Sequence, residues 1–249
     1  MKSLIVIPAR LASTRLPNKL LLSDTGKPLI QHTYEAASKS SIADDIVVAA
    51  DDQQIVDAVT AFGGNVELTA PDHASGTDRL AEIAERRPEV QWFINVQGDE
   101  PEIDTADIDQ AARLLMENPR ADMSTLATAI TQAQAFADPA CVKVVFDQNQ
   151  RALYFSRSPI PYPRGGFRTM LATHGGDLFF QHVGLYVYRR ETLLELTATP
   201  RPPAEVAESL EQLRALHLGK TILVGVTSNL SCGIDTAEDY AAFVSRQSN

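Results

Sequence analysis

The sequence predicts an α/β fold, a three-layer sandwich on a mostly parallel central sheet with a smaller mixed β lobe. Three observations carry that expectation. The first half alternates short β-branched runs with helical stretches, the pattern of repeated βα units. The runs Ser3–Pro8 (SLIVIP) and Asp45–Ala50 (DIVVAA) are almost continuously apolar, as strands covered on both faces are. Beyond about residue 120, strand-like runs follow one another without regular helices between them.

Ser3–Pro8 is the first strand. A loop rich in Pro, Ser and Arg follows, and then a helix near Leu29–Ser40. Asp45–Ala50 is the second strand, and Asp52–Phe62 a helix stopped by Gly63-Gly64, since glycine readily takes the left-handed conformation that ends helices. Asn65–Thr69 is a third short strand, Gly76–Arg86 a helix, and Trp92–Val96 (WFINV) a fourth strand. In such a sheet, ligands are expected at the carboxyl ends of the strands. Met123–Ile130, Cys141–Asp147, Ala152–Phe155, His182–Tyr188 and Thr221–Val226 are expected to be strands. Ser158–Phe179, rich in Pro and Gly, is expected to be a long loop. A helix over Pro203–Leu218 and a short one from Thr236 close the chain.

The 249 residues are 44% hydrophobic and 22% charged, with a net charge of −10. That balance disfavours non-specific nucleic-acid binding, which needs a clustered basic surface. It leaves room for an anionic small molecule held by a local group of Arg and Lys. Cys141 and Cys232 stand far apart, with no His or Cys at metal-ligand spacing. They read as ordinary thiols of a reducing compartment. A strand beginning at Lys2 leaves no room for a signal peptide, and no apolar run approaches the roughly 18 residues of a membrane span. A soluble, cytoplasmic protein is expected.

The most informative stretch runs from Pro8 and Ala9 through Arg10, Ser13, Thr14 and Arg15 to Lys19. It follows a buried strand directly, where a loop points backbone N–H groups at a phosphate chain. Arg10, Arg15 and Lys19 add forked donors and a point charge suited to phosphate oxygens. A plain basic surface loop would have the same composition. The stretch has neither a Walker-type Gly-Lys-Ser/Thr nor a Gly-x-Gly-x-x-Gly, which disfavours the common ATP and NAD folds. Asn95-Val96-Gln97-Gly98-Asp99-Glu100-Pro101 ends a strand. Asp99 on its glycine turn is placed either to hold Mg²⁺ or simply to cap a turn. Asp235 in Gly233-Ile234-Asp235-Thr236 is a second candidate metal ligand, although Thr236 also reads as a helix N-cap.

Other segments carry polar groups that could meet a small ligand. Ser75-Gly76-Thr77-Asp78-Arg79 opens a helix, and Tyr154-Phe155-Ser156-Arg157 ends a strand with a cation. His182, Gly184 and Tyr186 alternate on one strand face. Glu211 and Gln212 lie on an amphipathic helix, where a solvated face is the ordinary meaning.

In their order and spacing these segments resemble the Kdo (3-deoxy-manno-octulosonate) cytidylyltransferases. The likeness covers essentially the whole chain: IPAR-x-x-STRLP-x-K, SGT-x-R-L, NVQGDEP, VKVV, ALYFSR, H-x-G-x-Y-x-Y-R, LEQLR and D-T-x-E-D. It implies a nucleotide-diphospho-sugar transferase type of α/β sandwich and a homodimer. It also implies one cytidylyltransferase domain over residues 1–249, with a nucleotide-binding half over about 1–120. Sugar-binding and dimerisation elements would occupy about 121–249.

The implied reaction joins CMP from CTP to Kdo, releasing pyrophosphate, with Mg²⁺ as cofactor. Arg10, Lys19, Asp99 and Asp235 would be catalytic, and Asp99 and Asp235 would hold the metal. CTP would meet Pro8, Ala9, Arg10, Arg15, Lys19, Ser75, Gly76, Thr77, Arg79 and Gln97. The sugar would meet Gln97, Arg157, His182, Tyr186, Glu211 and Gln212. Two local departures stand out. Ala237 replaces the proline usual in D-T-P-E-D, and Ala204–Glu208 replaces the usual Leu-Glu-x-x-Glu. The second leaves the 8-amino analogue of Kdo as an alternative acceptor. A sialate cytidylyltransferase would lack the SGT, ALYFSR and LEQLR segments together. A non-catalytic nucleotide-binding protein would be expected to have lost Lys19, Asp99 or Asp235, and all three are present.

Overall fold

The structure is a computed structural model and describes residues 2–229 and 233–247. The first elements are β1 (Lys2–Ala9), α1 (Leu29–Ala37), β2 (Asp45–Ala50), α2 (Gln53–Ala61), β3 (Val66–Leu68), α3 (Gly76–Arg86), β4 (Val90–Asn95) and α4 (Thr105–Met116). Then come β5 (Met123–Ala129), α5 (Ala133–Ala137), β6 (Lys143–Phe146), β7 (Ala152–Ser156), α6 (Phe167–His174) and β8 (Phe180–Arg189). The last are α7 (Arg190–Ala198), α8 (Pro203–Glu208), α9 (Gln212–His217), β9 (Ile222–Thr227) and α10 (Ala237–Gln247).

Two compact units share the chain. One is Met1–Asp109 with Arg189–Thr197 and Ser231–Asn249; the other is Gln110–Tyr188 with Ala198–Leu230. The first unit takes back a C-terminal segment. That return places Asp235 in the same unit as Asp99.

In the first unit the strand order is β3-β2-β1-β4, every pair parallel. Leu4 to Ile7 of β1, Val47 to Ala50 of β2 and Phe93 and Ile94 of β4 are buried, which explains their unbroken apolar character. With β2 and β3 on one side of β1 and β4 on the other, the general right-handedness of parallel crossovers assigns α1 and α2 to one face of this sheet and α3 to the other. The winding reverses between β1 and β4, so the carboxyl ends of these neighbours flank a crevice of the kind that receives ligands in open α/β sheets. Local chemistry sets the helix ends. The Asp52 carboxylate accepts from Gln54 N at 2.8 Å to start α2, and Gly63 at φ +80° ends the turn after it. Ser75 Oγ accepts from Asp78 N at 3.2 Å to start α3. At α10, Thr236 Oγ1 accepts from Asp239 N and Asp239 Oδ2 from Thr236 N, a reciprocal capping box.

In the second unit β5 pairs antiparallel with β8 and parallel with β9, and β6 pairs antiparallel with β7 and β8. The expected mixed β lobe is present, with three corrections to the sequence reading. First, the later strands are interrupted by helices α5, α6 and α7. Helix α6 sits inside the stretch expected to be a loop, and Gly166 (φ +94°) and Gly175 (φ +63°) punctuate its ends. Its Phe167 and Met170 pack on a cluster of Phe136, Cys141 and Phe179, so hydrophobic contact overrides the loop-like composition. Second, the single helix expected over Pro203–Leu218 is two. Ser209 adopts a left-handed conformation at φ 52°, ψ 50° and breaks it. A buried, bidentate Glu205–Arg214 pair at 2.7 and 2.6 Å spans the break, and a charged pair so buried is held by geometry of this quality. Third, α4 has no counterpart in the sequence reading, although Asp104 Oδ1 accepts from Ala106 N at its start.

Candidate active site

The site grows from the pairing of β1 with β4, which brings Pro8 beside the turn carrying Gly98. A Cβ on Gly98 would lie 3.0 Å from Pro8 O and 3.3 Å from Ile30 Cδ1. On Gly76 it would lie 3.3 Å from Pro8 Cγ. Pro8 is thus gripped between two glycines whose missing side chains permit the approach. Thr33 Oγ1, itself buried, donates to Gly98 O at 2.9 Å and fixes the turn. The loop after β1 is tied at Leu11, whose N–H donates to Asp51 Oδ1 at 2.9 Å. It ends in a short 3-10 turn at Lys19–Leu21, entered through Asn18 at φ 53°.

Between these loops lies a cavity of about 360 Å³ lined by Pro8, Arg10, Arg15, Lys19, Gly76, Gln97, Asp99 and Asp235, among others. Lys19 Nζ donates to Asp99 Oδ2 at 2.5 Å, to Ile234 O at 2.9 Å and to Asp235 Oδ1 at 3.0 Å. Arg15 Nη2 is 2.9 Å from the other oxygen of Asp235. Ile234 N donates to Asp99 O at 2.9 Å, joining the two carboxylate-bearing segments through the backbone as well. Ser13, Thr14 and Gly98 also line the cavity.

Several residues expected at the nucleotide do not line it. Ala9 is buried in β1. Thr77 is half-buried in α3. Ser75 is buried with its hydroxyl spent on the α3 cap, where it also donates to Asp78 Oδ2 at 3.0 Å. The Arg79 side chain is fully buried, 3.6 Å from Asp51 Oδ2. Its Nη1 donates to Thr69 Oγ1 and to Ala70 O. Burial pulls the Arg79 pKa down, and Asp51 opposes the shift. Through Asp51, which also holds Leu11, Arg79 buttresses the cationic loop from below.

The residues expected at the sugar, apart from Gln97, lie in the second unit. His182 Nε2 is 2.9 Å from Thr125 Oγ1, which donates to Leu185 O at 2.7 Å. A hydroxyl has one proton, so the Nε2–H of His182 donates to it, and Nδ1 is left as an acceptor in the neutral ring. Burial pushes the His182 pKa down to about 3. The ring stands edge-on to Phe155, with centroids 5.2 Å apart, and lies 5.1 Å from Tyr186. Burial, then Tyr188 and Glu211, hold the Tyr186 phenol well above its ordinary pKa. Gln212 is buried, and its Nε2 has no hydrogen-bond partner among the described residues. Arg157 donates from Nε to Glu208 O at 2.6 Å, from Nη1 to Pro139 O at 3.0 Å and from Nη2 to Ser209 O at 3.4 Å.

A model of the cytidylyltransferase family matches residues 4–222. The 3-deoxy-manno-octulosonate cytidylyltransferase of Rhodopirellula baltica is 50% identical over 99% of this chain and 98% of its own. The protein of the same name from Geobacter sulfurreducens is 48% identical over 94% of each chain. The chain belongs to the 3-deoxy-manno-octulosonate cytidylyltransferase family. A solved CMP:2-keto-3-deoxy-manno-octonic acid synthetase complexed with CTP superposes with a TM-score of 0.92 at 42% identity, covering 100% of this chain and 99% of its own.

Within the family pattern, Ala237 in place of proline sits at the first position of α10, where the capping box of Thr236 and Asp239 already fixes the start. Sequence reasoning left Lys143 without a role. It is a fully buried ammonium donating to Asp138 O, Cys141 O and Arg157 O at 2.9, 2.6 and 2.5 Å, and burial lowers its pKa. A lysine inside the apolar run Val142-Lys143-Val144-Val145 was the available signal. Glu208 was also passed over. It accepts from Ser156 Oγ at 2.6 Å and Arg157 N at 2.9 Å, and so holds the strand end that carries Arg157. Cys141 is a buried free thiol, and Cys232 lies outside the described residues.

Proposed function

We propose that this cytidylyltransferase transfers CMP from CTP to the anomeric hydroxyl of Kdo, giving CMP-Kdo and pyrophosphate. The observation that carries the reading is the meeting of Lys19, Asp99 and Asp235 in a cavity also lined by Arg10 and Arg15. The sugar oxygen attacks the α-phosphorus, the bond to pyrophosphate breaks, and the hydroxyl proton leaves to solvent. Such a displacement depends on alignment and charge neutralisation rather than on a protein nucleophile. Arg10, Arg15 and Lys19 bind the triphosphate, and Pro8, Gly76 and the backbone before α3 form the wall beside the base. Gln97 in the first unit and Arg157, His182, Tyr186, Glu211 and Gln212 in the second are the residues assigned to the sugar, and Arg157 supplies the cation for its carboxylate.

Asp99 and Asp235 fit Mg²⁺. Both offer hard oxygens and already share one cation. Among the described residues no group of three or more protein ligands gathers, as suits an ion that takes one or two carboxylates and leaves its other positions to phosphate and water. When bound, Mg²⁺ neutralises phosphate charge and lowers the pKa of a ligated hydroxyl.

We further propose a cytoplasmic homodimer that supplies lipopolysaccharide synthesis. No described helix is long and apolar enough to cross a membrane. The exposed Leu153 and Tyr154 of β7 offer apolar surface for a second copy.

Pyrophosphate release from CTP with Kdo, 8-amino-Kdo and N-acetylneuraminate in parallel tests the reading, with light scattering for the dimer. Kdo should be the best acceptor. UTP should fail as donor, because uracil presents an acceptor where cytosine presents its N4 donor. Release with none of the three sugars would overturn the assignment.

A further inference from the structure

Lys19 does more in this structure than wait for a phosphate. Its three N–H donors all point to oxygens: one of Asp99, one of Asp235 and the Ile234 carbonyl. The ammonium therefore has no donor left over. Arg15 takes the second oxygen of Asp235. Two carboxylates are thus balanced by two cations from the loop after β1. The Lys19 side chain is 14% exposed and that of Arg15 66%, so the inner cation is enclosed and the outer one can leave easily. A divalent ion would be held by the same two carboxylates. It cannot take them while an ammonium sits 2.5 and 3.0 Å from both, because like charges at that spacing repel strongly.

We propose that Lys19 is a stand-in cation that closes the metal position of the free protein, and that the triphosphate of the incoming nucleotide opens it. The inference rests on the reading of this cavity as the CTP and Mg²⁺ site. The triphosphate offers Lys19 and Arg15 a partner of higher charge. As they turn to it, Asp99 and Asp235 are left with a charge of −2 that a divalent ion matches. Nucleotide and metal then load together, and a metal without nucleotide is held off. Binding linkage requires the converse as well: the ion strengthens nucleotide binding by the same factor by which the nucleotide strengthens that of the ion.

The test measures Mn²⁺ binding to the full chain without nucleotide, from the electron paramagnetic resonance signal of the free ion. Lys19→Gln should bind Mn²⁺ more tightly than the unaltered protein, roughly 5- to 150-fold, the usual range of coupling between sites. Arg15→Gln, which changes an exposed side chain and leaves the fold untouched, should show a smaller gain. Adding Asp99→Asn to Lys19→Gln should erase the gain. Equal Mn²⁺ affinity in the unaltered protein and in folded Lys19→Gln would overturn the proposal. Should Lys19→Gln not fold, an unchanged affinity in Arg15→Gln overturns it alone. Metal-dependent pyrophosphate release alongside flat Mn²⁺ titrations would sink the stand-in role and leave the proposed function standing. Absence of bound Mn²⁺ in every variant, with CTP present, would sink both.

Discussion

The carboxylates of Asp99 and Asp235 meet at one ammonium, that of Lys19, at 2.5 and 3.0 Å. Neither needs the other for its local structure. Asp99 belongs to the turn after β4, and the start of α10 is capped by Thr236 and Asp239. Their convergence therefore points to a shared cation. Asp99→Asn and Asp235→Asn should each fold with a melting temperature close to that of the parent. Turnover should fall by roughly 10²-fold or more, the scale of losing one preorganised electrostatic group. Activity at saturating substrates, with a thermal melt beside it, checks this. A variant that keeps most of its turnover removes that carboxylate from the chemistry.

Gly98 is a second point of sensitivity. A methyl group there would press on Pro8 O at 3.0 Å and Ile30 Cδ1 at 3.3 Å. The carbonyl belongs to β1 and cannot swing aside, so the turn carrying Asp99 must shift. Gly98→Ala should lower stability by about 1–3 kcal/mol, as overpacking does, and lower turnover further than the melt alone explains. Denaturant titration and kcat together read both effects, and a neutral result in both would show that the turn has slack.

Much of this site was legible in the sequence. The span of α3, the position of β2 and the cationic loop of Arg10, Arg15 and Lys19 follow from local pattern, whereas Asp99 and Asp235 read locally as turn and helix-start residues as readily as ligands and were joined to that loop by the family resemblance. Burial was not legible. Arg79 reads as a donor beside the base until Thr69, Ala70 and Asp51 are seen around it. The break at Ser209 was hidden because nothing local forbids a helix there, and Glu205–Arg214 spans it through tertiary geometry. Helix α6 was hidden for the opposite reason, since its flanking glycines made the whole stretch look like loop.

The neutral His182 gives the protein a particular acid sensitivity. Its folded pKa is about 3, against about 6.5 in an unfolded chain. Above pH 6.5 neither state binds the proton, and the contribution to stability is complete. As pH falls from 6.5 towards 3, the unfolded state takes up a proton that the native ring refuses, and stability is lost. The lowered carboxyls of Glu35, Asp44, Glu82, Asp147 and Asp239 lose theirs only at the acid end of that range and below, as pH falls from their unfolded values through their folded ones. His182→Asn should therefore flatten the dependence of melting temperature on pH between about 6.5 and 4. An unchanged slope would mean that His182 titrates normally in the native state.

Arg157 offers the sharpest division between the sugar and the nucleotide. Three of its donors go to backbone carbonyls of Pro139, Glu208 and Ser209. Lys143 and Glu208 fix its own carbonyl and N–H. A guanidinium carries five N–H groups, so it can anchor this strand end and still present two donors to a carboxylate. Arg157→Ala should raise KM for Kdo by roughly ten- to a hundredfold, the loss of one charged hydrogen bond, with KM for CTP nearly unchanged. Arg157→Lys should recover little, because a point charge cannot keep three carbonyls and a carboxylate at once. The mutation also strips carbonyls of their donor, so some stability should go with it. A KM for CTP that rises in step with that for Kdo would mean that Arg157 only braces the segment around Glu208, and that another cation receives the sugar acid.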